Sequence, residues 1–253
     1  MIAKTENEIK NLRRAGKILA GALRHTARLV VPGVTTAALD LAAEEYIRKE
    51  GGLPAFLNYA QDDSAYPFPA ALCVTINDEV VHGIPSEERV VVEGDLVMLD
   101  LGVSYSGYFS DAAITVCAGV CDEKGQKLIK ATEEALHDAI KICKPGVQVG
   151  DIGATISAVA KKYNLAVAED LGGHGLGTTP HEAPYIPNVG VKGRGVRLPE
   201  GSVIAIEPIF TEGLGDVELD ANQWMYRTVD GSRSAETEHT ILITKNGAEV
   251  LTA

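Results

Sequence analysis

Apolar residues recur at Ile9, Leu12, Ile18, Leu19, Leu23 and Ala27, the one-sided spacing of a long amphipathic helix. The helix opens at TENE, residues 5–8, a capping box in which the Thr5 hydroxyl and the Glu8 carboxylate satisfy exposed amides. It stops at VVPGV, residues 30–34, where proline removes a donor and glycine allows a turn. A second helical stretch follows, TTAALDLAAEEYIRKEGG. The same order then returns, because GQKLIKATEEALHDAIKICKPGVQVGDIGATISAVAKKYNL gives helix, PGV and helix again. The pattern predicts an internal repeat with halves of about 1–120 and 121–253, folding as one unit over 1–253.

Each half continues into a strand that opens alike, EGDLVMLD at 93–100 and EGSVIAIE at 200–207. Both runs end on a carboxylate, Asp100 in one and Glu207 in the other. An acid that ends a buried strand must be paired, hydrogen-bonded or bound to a cation. After Asp100 the chain runs LGVSYSGYFSD to Asp111, and a two-residue hairpin centred between Tyr105 and Ser106 would set the two acids directly opposite. Charges that close repel unless a cation lies between them. In the second half SAETEHTILIT alternates as a strand carrying Glu238, with His239 on the opposite face.

A histidine precedes each of these strands, His82 in VVHGIP and His174 in GGHGLG. Four carboxylates converging with one or two imidazoles call for divalent cations, and two of them balance the charge. Oxygen-rich ligation with one imidazole suits Mn, Fe(II), Co or Zn. Bridging carboxylates hold such ions about 3.5 Å apart and acidify water between them, which points to hydrolysis, with Glu207 placed to manage the proton. The stretch GGHGLGTTPHEAP, residues 172–184, adds His181 in a segment too rich in glycine and proline for a regular helix.

At 253 residues and 45% hydrophobic content the chain has material for a large core. A net charge of −12 argues against nucleic acid as a partner. The four cysteines form no CxxC pair and are expected to be reduced thiols. The charged opening MIAKTENEIKNLRRAGK contains no signal-peptide core, and no apolar run reaches membrane-spanning length, so no membrane partner and a cytoplasmic location are expected. Without heptads, a monomer is expected. His25 and His137 lie in helical patterns without partner motifs and read as surface residues, and Glu182 as a supporting loop acid.

Five motifs in order, TINDEVVHGIP (75–85), GDLVMLDLGVSYSGYFSD (94–111), GGHGLGTTPHEAP, IAIEP (204–208) and SAETEHT (234–240), closely resemble the type I methionine aminopeptidase family. The resemblance implies the α+β pita-bread (creatinase/aminopeptidase) fold: pseudo-two-fold duplicated halves with a curved antiparallel sheet inside and helices outside. It implies that Asp100, Asp111, His174, Glu207 and Glu238 hold two divalent metal ions, Asp111 and Glu238 bridging them. It implies that His82 and His181 contact the substrate near the scissile amide, that Glu207 shuttles the proton, and that Phe68, Cys73 and Trp224 line the methionine pocket. Two positions depart from the family: Pro180 precedes His181 where a bulky aromatic is usual, and Ala65 falls near a usual tyrosine.

The implied activity is removal of the first methionine from nascent proteins and peptides. Any ribosome contact is expected to use this domain's own surface, since no amino-terminal extension is read. A proline-directed peptidase of the same fold shares LDLG (99–102) and SD (110–111), but such enzymes usually carry a large domain ahead of the catalytic one. A non-catalytic binding module of this fold should have lost ligands, and all five are present here with His82 and His181.

Overall fold

The structure is a computed structural model that describes residues 1–60 and 66–253, so Ala65 lies outside the described residues. Four helices form where the apolar spacing predicts them: α1 (Glu6–Ala27), α2 (Thr36–Lys49), α3 (Glu123–Ile142) and α4 (Val149–Tyr163). The capping box closes as expected, Glu8 N donating to Thr5 Oγ1 at 3.2 Å and Thr5 N to Glu8 Oε2 at 2.8 Å. Thr35 and Asp122 cap α2 and α3 through their side chains.

Each half has its own core. Ile18, Leu19, Leu39 and Ile47 from α1 and α2 pack on Leu72, Leu99 and Leu101. Leu128, Leu136, Ile152 and Ile156 from α3 and α4 pack on Ile204, Ile206 and Ile241. The duplication extends to single hydrogen bonds. Gly33 N donates to Val91 O and Val91 N returns to Val34 O, at 2.8 and 2.9 Å. Gly146 N and Leu198 O, with Leu198 N and Val147 O, repeat this pair at 2.8 Å each. Both glycines take a positive φ, +97° and +90°, which glycine adopts at little cost.

The strands are antiparallel. Leu96–Tyr105 pairs along its length with Tyr108–Cys117, and its other edge takes Leu72–Ile76 and Leu53–Pro54 in turn. In the second half the order is Gly247–Val250, His239–Thr244, Val203–Ile206, Gly172–Gly175, Glu182–Pro187. The halves meet where Tyr108–Cys117 runs beside residues 234–240. There Asp111 N donates to Thr240 Oγ1 at 2.8 Å, Thr240 Oγ1 donates to Asp111 O at 2.7 Å, and Glu238 N donates to Ala113 O at 2.8 Å.

Two expectations are corrected. The hairpin turns at Ser106–Gly107 rather than Tyr105–Ser106, because these two residues supply the positive φ angles (+52° and +78°) that a two-residue turn requires. Asp111 therefore faces Gly102, and Asp100 faces Ala113. The acids remain on one face, as diagonal rather than direct neighbours. Cys117 and Cys121 are not free thiols but form a disulfide: the chain leaves its strand, turns through Gly119 and brings the two Cα atoms to 5.8 Å. Cys73 and Cys143 are free and buried. Among the described residues no helix is long and apolar enough to cross a membrane.

Candidate active site

A cavity of about 290 Å³ opens at the seam between the halves, acidic at one end and apolar at the other. Asp100, Asp111, His174, Glu207 and Glu238 all line the acidic end, and His82, His181, Phe68, Cys73 and Trp224 line the same cavity. Asp100 comes from its strand opposite Cys73. Glu207 follows Val203–Ile206, and its backbone carbonyl accepts from Asn188 Nδ2 at 2.9 Å. His174 stands on Gly172–Gly175 between two glycines that allow close backbone approach. A Cβ at Gly173 would meet Ala205 O at 2.2 Å and one at Gly175 would meet Ala183 O at 2.3 Å.

The carboxyl groups lack countercharge. No Lys or Arg lines the cavity among the described residues, and Asp100 Oδ1, Asp111 Oδ1 and Glu238 Oε1 are buried without a hydrogen-bond partner. Burial pushes Asp100 up to about 7, and burial reinforced by the Asp100 charge pushes Glu207 up to about 8. Asp111 and Glu238 are raised well above the carboxylate range, first by burial and then by neighbouring charge, that of Asp100 and Glu207 on Asp111 and that of Asp111 and Glu207 on Glu238.

His174 makes the need for a cation specific. Its Nδ1 lies 3.0 Å from Gly175 O; a carbonyl only accepts, so Nδ1 carries the proton. Burial, then His181, lowers its pKa to about 3, which keeps the ring neutral. The Nε2 lone pair thus faces Asp111 Oδ2 at 3.7 Å and Glu207 Oε1 at 3.8 Å. Three electron pairs so placed are reconciled by a cation between them. Ligand atoms of Asp100, Asp111 and Glu238 lie within 4.8 Å of one another, as do those of His174, Glu207 and Glu238, so the two sets share Glu238. The donor set of oxygens and an imidazole fits a divalent ion of the Mn, Fe, Co or Zn kind.

At the apolar end Trp224 meets Phe68 edge to face at 5.3 Å, and Trp224 Nε1 donates to Tyr66 O at 3.1 Å. Pro180 is not among the lining residues, and Phe56 and Tyr59 stand in the apolar wall instead. His82 adopts a left-handed backbone, φ +58°, and burial followed by the nearby His181 lowers its pKa to about 4. His181 lies 4.4 Å from His174, ring to ring, and burial lowers its pKa too. Its loop is tied down by Glu182: Oε1 accepts from Thr178 N and Thr179 N at 2.8 and 2.9 Å, and Oε2 pairs with the Met1 ammonium at 2.7 Å. His239 points away and bonds Thr252 Oγ1 at 2.9 Å; His25 stacks on Tyr46.

Sequence reasoning missed Glu236, Phe56 and Tyr59. Glu236 is 2% exposed, lines the cavity, and has Oε2 without a partner. Its signal was in SAETEHT, where it stands two before Glu238 and so shares a face in a strand pattern. Phe56 and Tyr59 lie in a connection with no periodicity to reveal them.

A model of metallopeptidase family M24 matches residues 10–245. The chain belongs to that family, and as a metallopeptidase it works with divalent metal ions. A methionine aminopeptidase from Aquifex aeolicus is 45% identical over 252 residues, covering 98% of this chain and 97% of its own length. Methionine aminopeptidase 1 from Bacillus subtilis is 37% identical and covers 100% of this chain and 99% of its own. The crystal structure of methionine aminopeptidase from Thermotoga maritima superposes with a TM-score of 0.95 at 43% identity, over 100% of this chain and 99% of that one. Prolidase from Pyrococcus furiosus shares the fold, with a TM-score of 0.75 at 24% identity, over 100% of this chain and 65% of that one.

Proposed function

We propose that this chain removes the amino-terminal methionine from nascent proteins and peptides by metal-dependent hydrolysis of the first peptide bond. It does so in the cytoplasm, as a monomer with the ribosome as a further partner, and residues 1–253 act as one catalytic unit of two halves, about 1–120 and 121–253. The observation that carries the activity is the cavity itself: unpaired buried carboxylate oxygens beside a wall of Phe56, Tyr59, Phe68 and Trp224 that suits an apolar side chain.

In this reading Asp100, Asp111, His174, Glu207 and Glu238 would hold two divalent ions. Bound there, the ions acidify water and polarise the scissile carbonyl. Glu207 carries the proton from the attacking water to the departing amine. His82 and His181, both neutral, orient the peptide and donate to the oxygen that gains charge. Phe68, Cys73 and Trp224 enclose the methionine side chain.

The test is amino-terminal release from Met-Gly-X against Ala-Pro-X peptides, using chelator-stripped protein with Mn, Fe(II), Co or Zn added back. Methionine release that depends on the added ion is expected. Proline-selective cleavage would move the chain to the proline-directed peptidases, and no cleavage with any ion would make it a binding module.

A further inference from the structure

His181 is a side chain with two possible uses. Its ligand atom lies within 4.8 Å of those of Asp111 and His174, close enough to join an ion, yet the proposed reaction uses it as a donor to the substrate. A neutral imidazole can do one or the other through a given nitrogen, depending on its tautomer. The partner of the second nitrogen is a hydroxyl, able to donate or accept, and the proposed reaction, which needs a proton on the other nitrogen, sets the direction of the bond.

That nitrogen, Nδ1, lies 2.9 Å from the Tyr59 hydroxyl. Tyr59 belongs to the first half and His181 to the second, and their rings pack at 5.2 Å. The tyrosine is itself fixed by backbone bonds, Tyr59 N to Phe56 O at 2.8 Å and Phe68 N to Tyr59 O at 2.7 Å. Both neighbours so engaged, Phe56 and Phe68, line the apolar end of the cavity.

From this geometry we infer that Tyr59 is a positioning residue: its hydroxyl donates to His181 Nδ1, so that Nε2 keeps its proton and presents it to the cavity as a donor rather than as a metal ligand. The role rests on the proposed hydrolysis, and the hydrogen bond can be tested apart from it. Tyr59 touches no reacting atom in this scheme. It converts a residue able to compete for the ion into one reserved for the substrate, and it ties that residue to the wall that receives the side chain.

Tyr59→Phe keeps the ring and removes the donor. On a Met-Gly-X peptide the variant is expected to lose about 10- to 100-fold in kcat, the usual cost of removing an orienting partner, with KM within about 2-fold and metal content unchanged. Nitrogen-15 spectra of the zinc-loaded protein should show His181 as the Nε2–H tautomer, and a mixture of tautomers in Tyr59→Phe. Added to His181→Ala, Tyr59→Phe should cost nothing further. An unchanged tautomer and kcat in Tyr59→Phe, or the Nδ1–H tautomer in the parent protein, overturns the assignment. If the parent releases no methionine, the proposed reaction fails while the spectra still decide the role of Tyr59.

Discussion

The two halves arrive at the same pair of acids by different routes. In the first, Asp100 and Asp111 ride on one hairpin, and a two-residue turn sets their register. In the second, Glu207 and Glu238 lie far apart in sequence and meet because Ile206 pairs with His239 across a sheet. A local pair is only as well placed as its turn. A distant pair is set by sheet pairing, and the connection between its members is free to carry other parts of the site, as the segment bearing Trp224 does here.

The sharpest way to break the equivalence is to remove one shared acid from each half. Asp111→Ala and Glu238→Ala are each expected to lose methionine release to background and to lose bound metal by elemental analysis. Full metal content in either variant would remove that residue from the bridging role. Next in size is a pH effect that draws on both halves. Asp100 and Glu207 have folded pKa values near 7 and 8, above those of the unfolded chain, so folding of the metal-free protein takes up protons. Above about pH 6.5, where His82, His174 and His181 are neutral in the folded and unfolded chain alike and no longer offset the acids, its stability should fall as pH rises toward 8, while stabilisation by added divalent ion grows over the same window. Thermal melts with and without ion measure both slopes.

Smaller still is Gly102→Ala, opposite Asp111 in the hairpin. The added Cβ would come within 2.6 Å of the Phe56 ring, and the overpacking should cost about 1–3 kcal/mol by denaturant unfolding. The smallest effect sharpens the symmetry itself. Gly33→Ala and Gly146→Ala place a Cβ in open space, so only the left-handed backbone resists, and each should cost about 1 kcal/mol. Unequal costs would show that the two PGV turns differ in ways their shared hydrogen bonds hide.

What could be read from the chain alone follows the same division. The helices were legible because capping and apolar spacing are local, and Asp100 and Glu207 because matching strands end on both. The register of the hairpin was misplaced by attending to the acids rather than to Gly107, which takes the positive φ. Glu236 was passed over because the repeat suggested one acid at that place, although its spacing from Glu238 was visible. Tyr59 and Phe56 sit in a stretch whose conformation depends on contacts from the other half, and no periodicity announces such contacts. The Cys117–Cys121 disulfide joins residues at a spacing outside the familiar CxxC pattern.

The bonds between Asp111 and Thr240 join residues 129 positions apart. A ribosome delivers a chain from its amino end at about 5–20 residues per second, so the first pair of acids waits several seconds for Glu238 to follow. During that interval the growing polypeptide holds only part of the acid cluster and one wall of the cavity. The acid cluster is complete only once residue 238 has emerged, and an activity that needs the cluster starts no earlier.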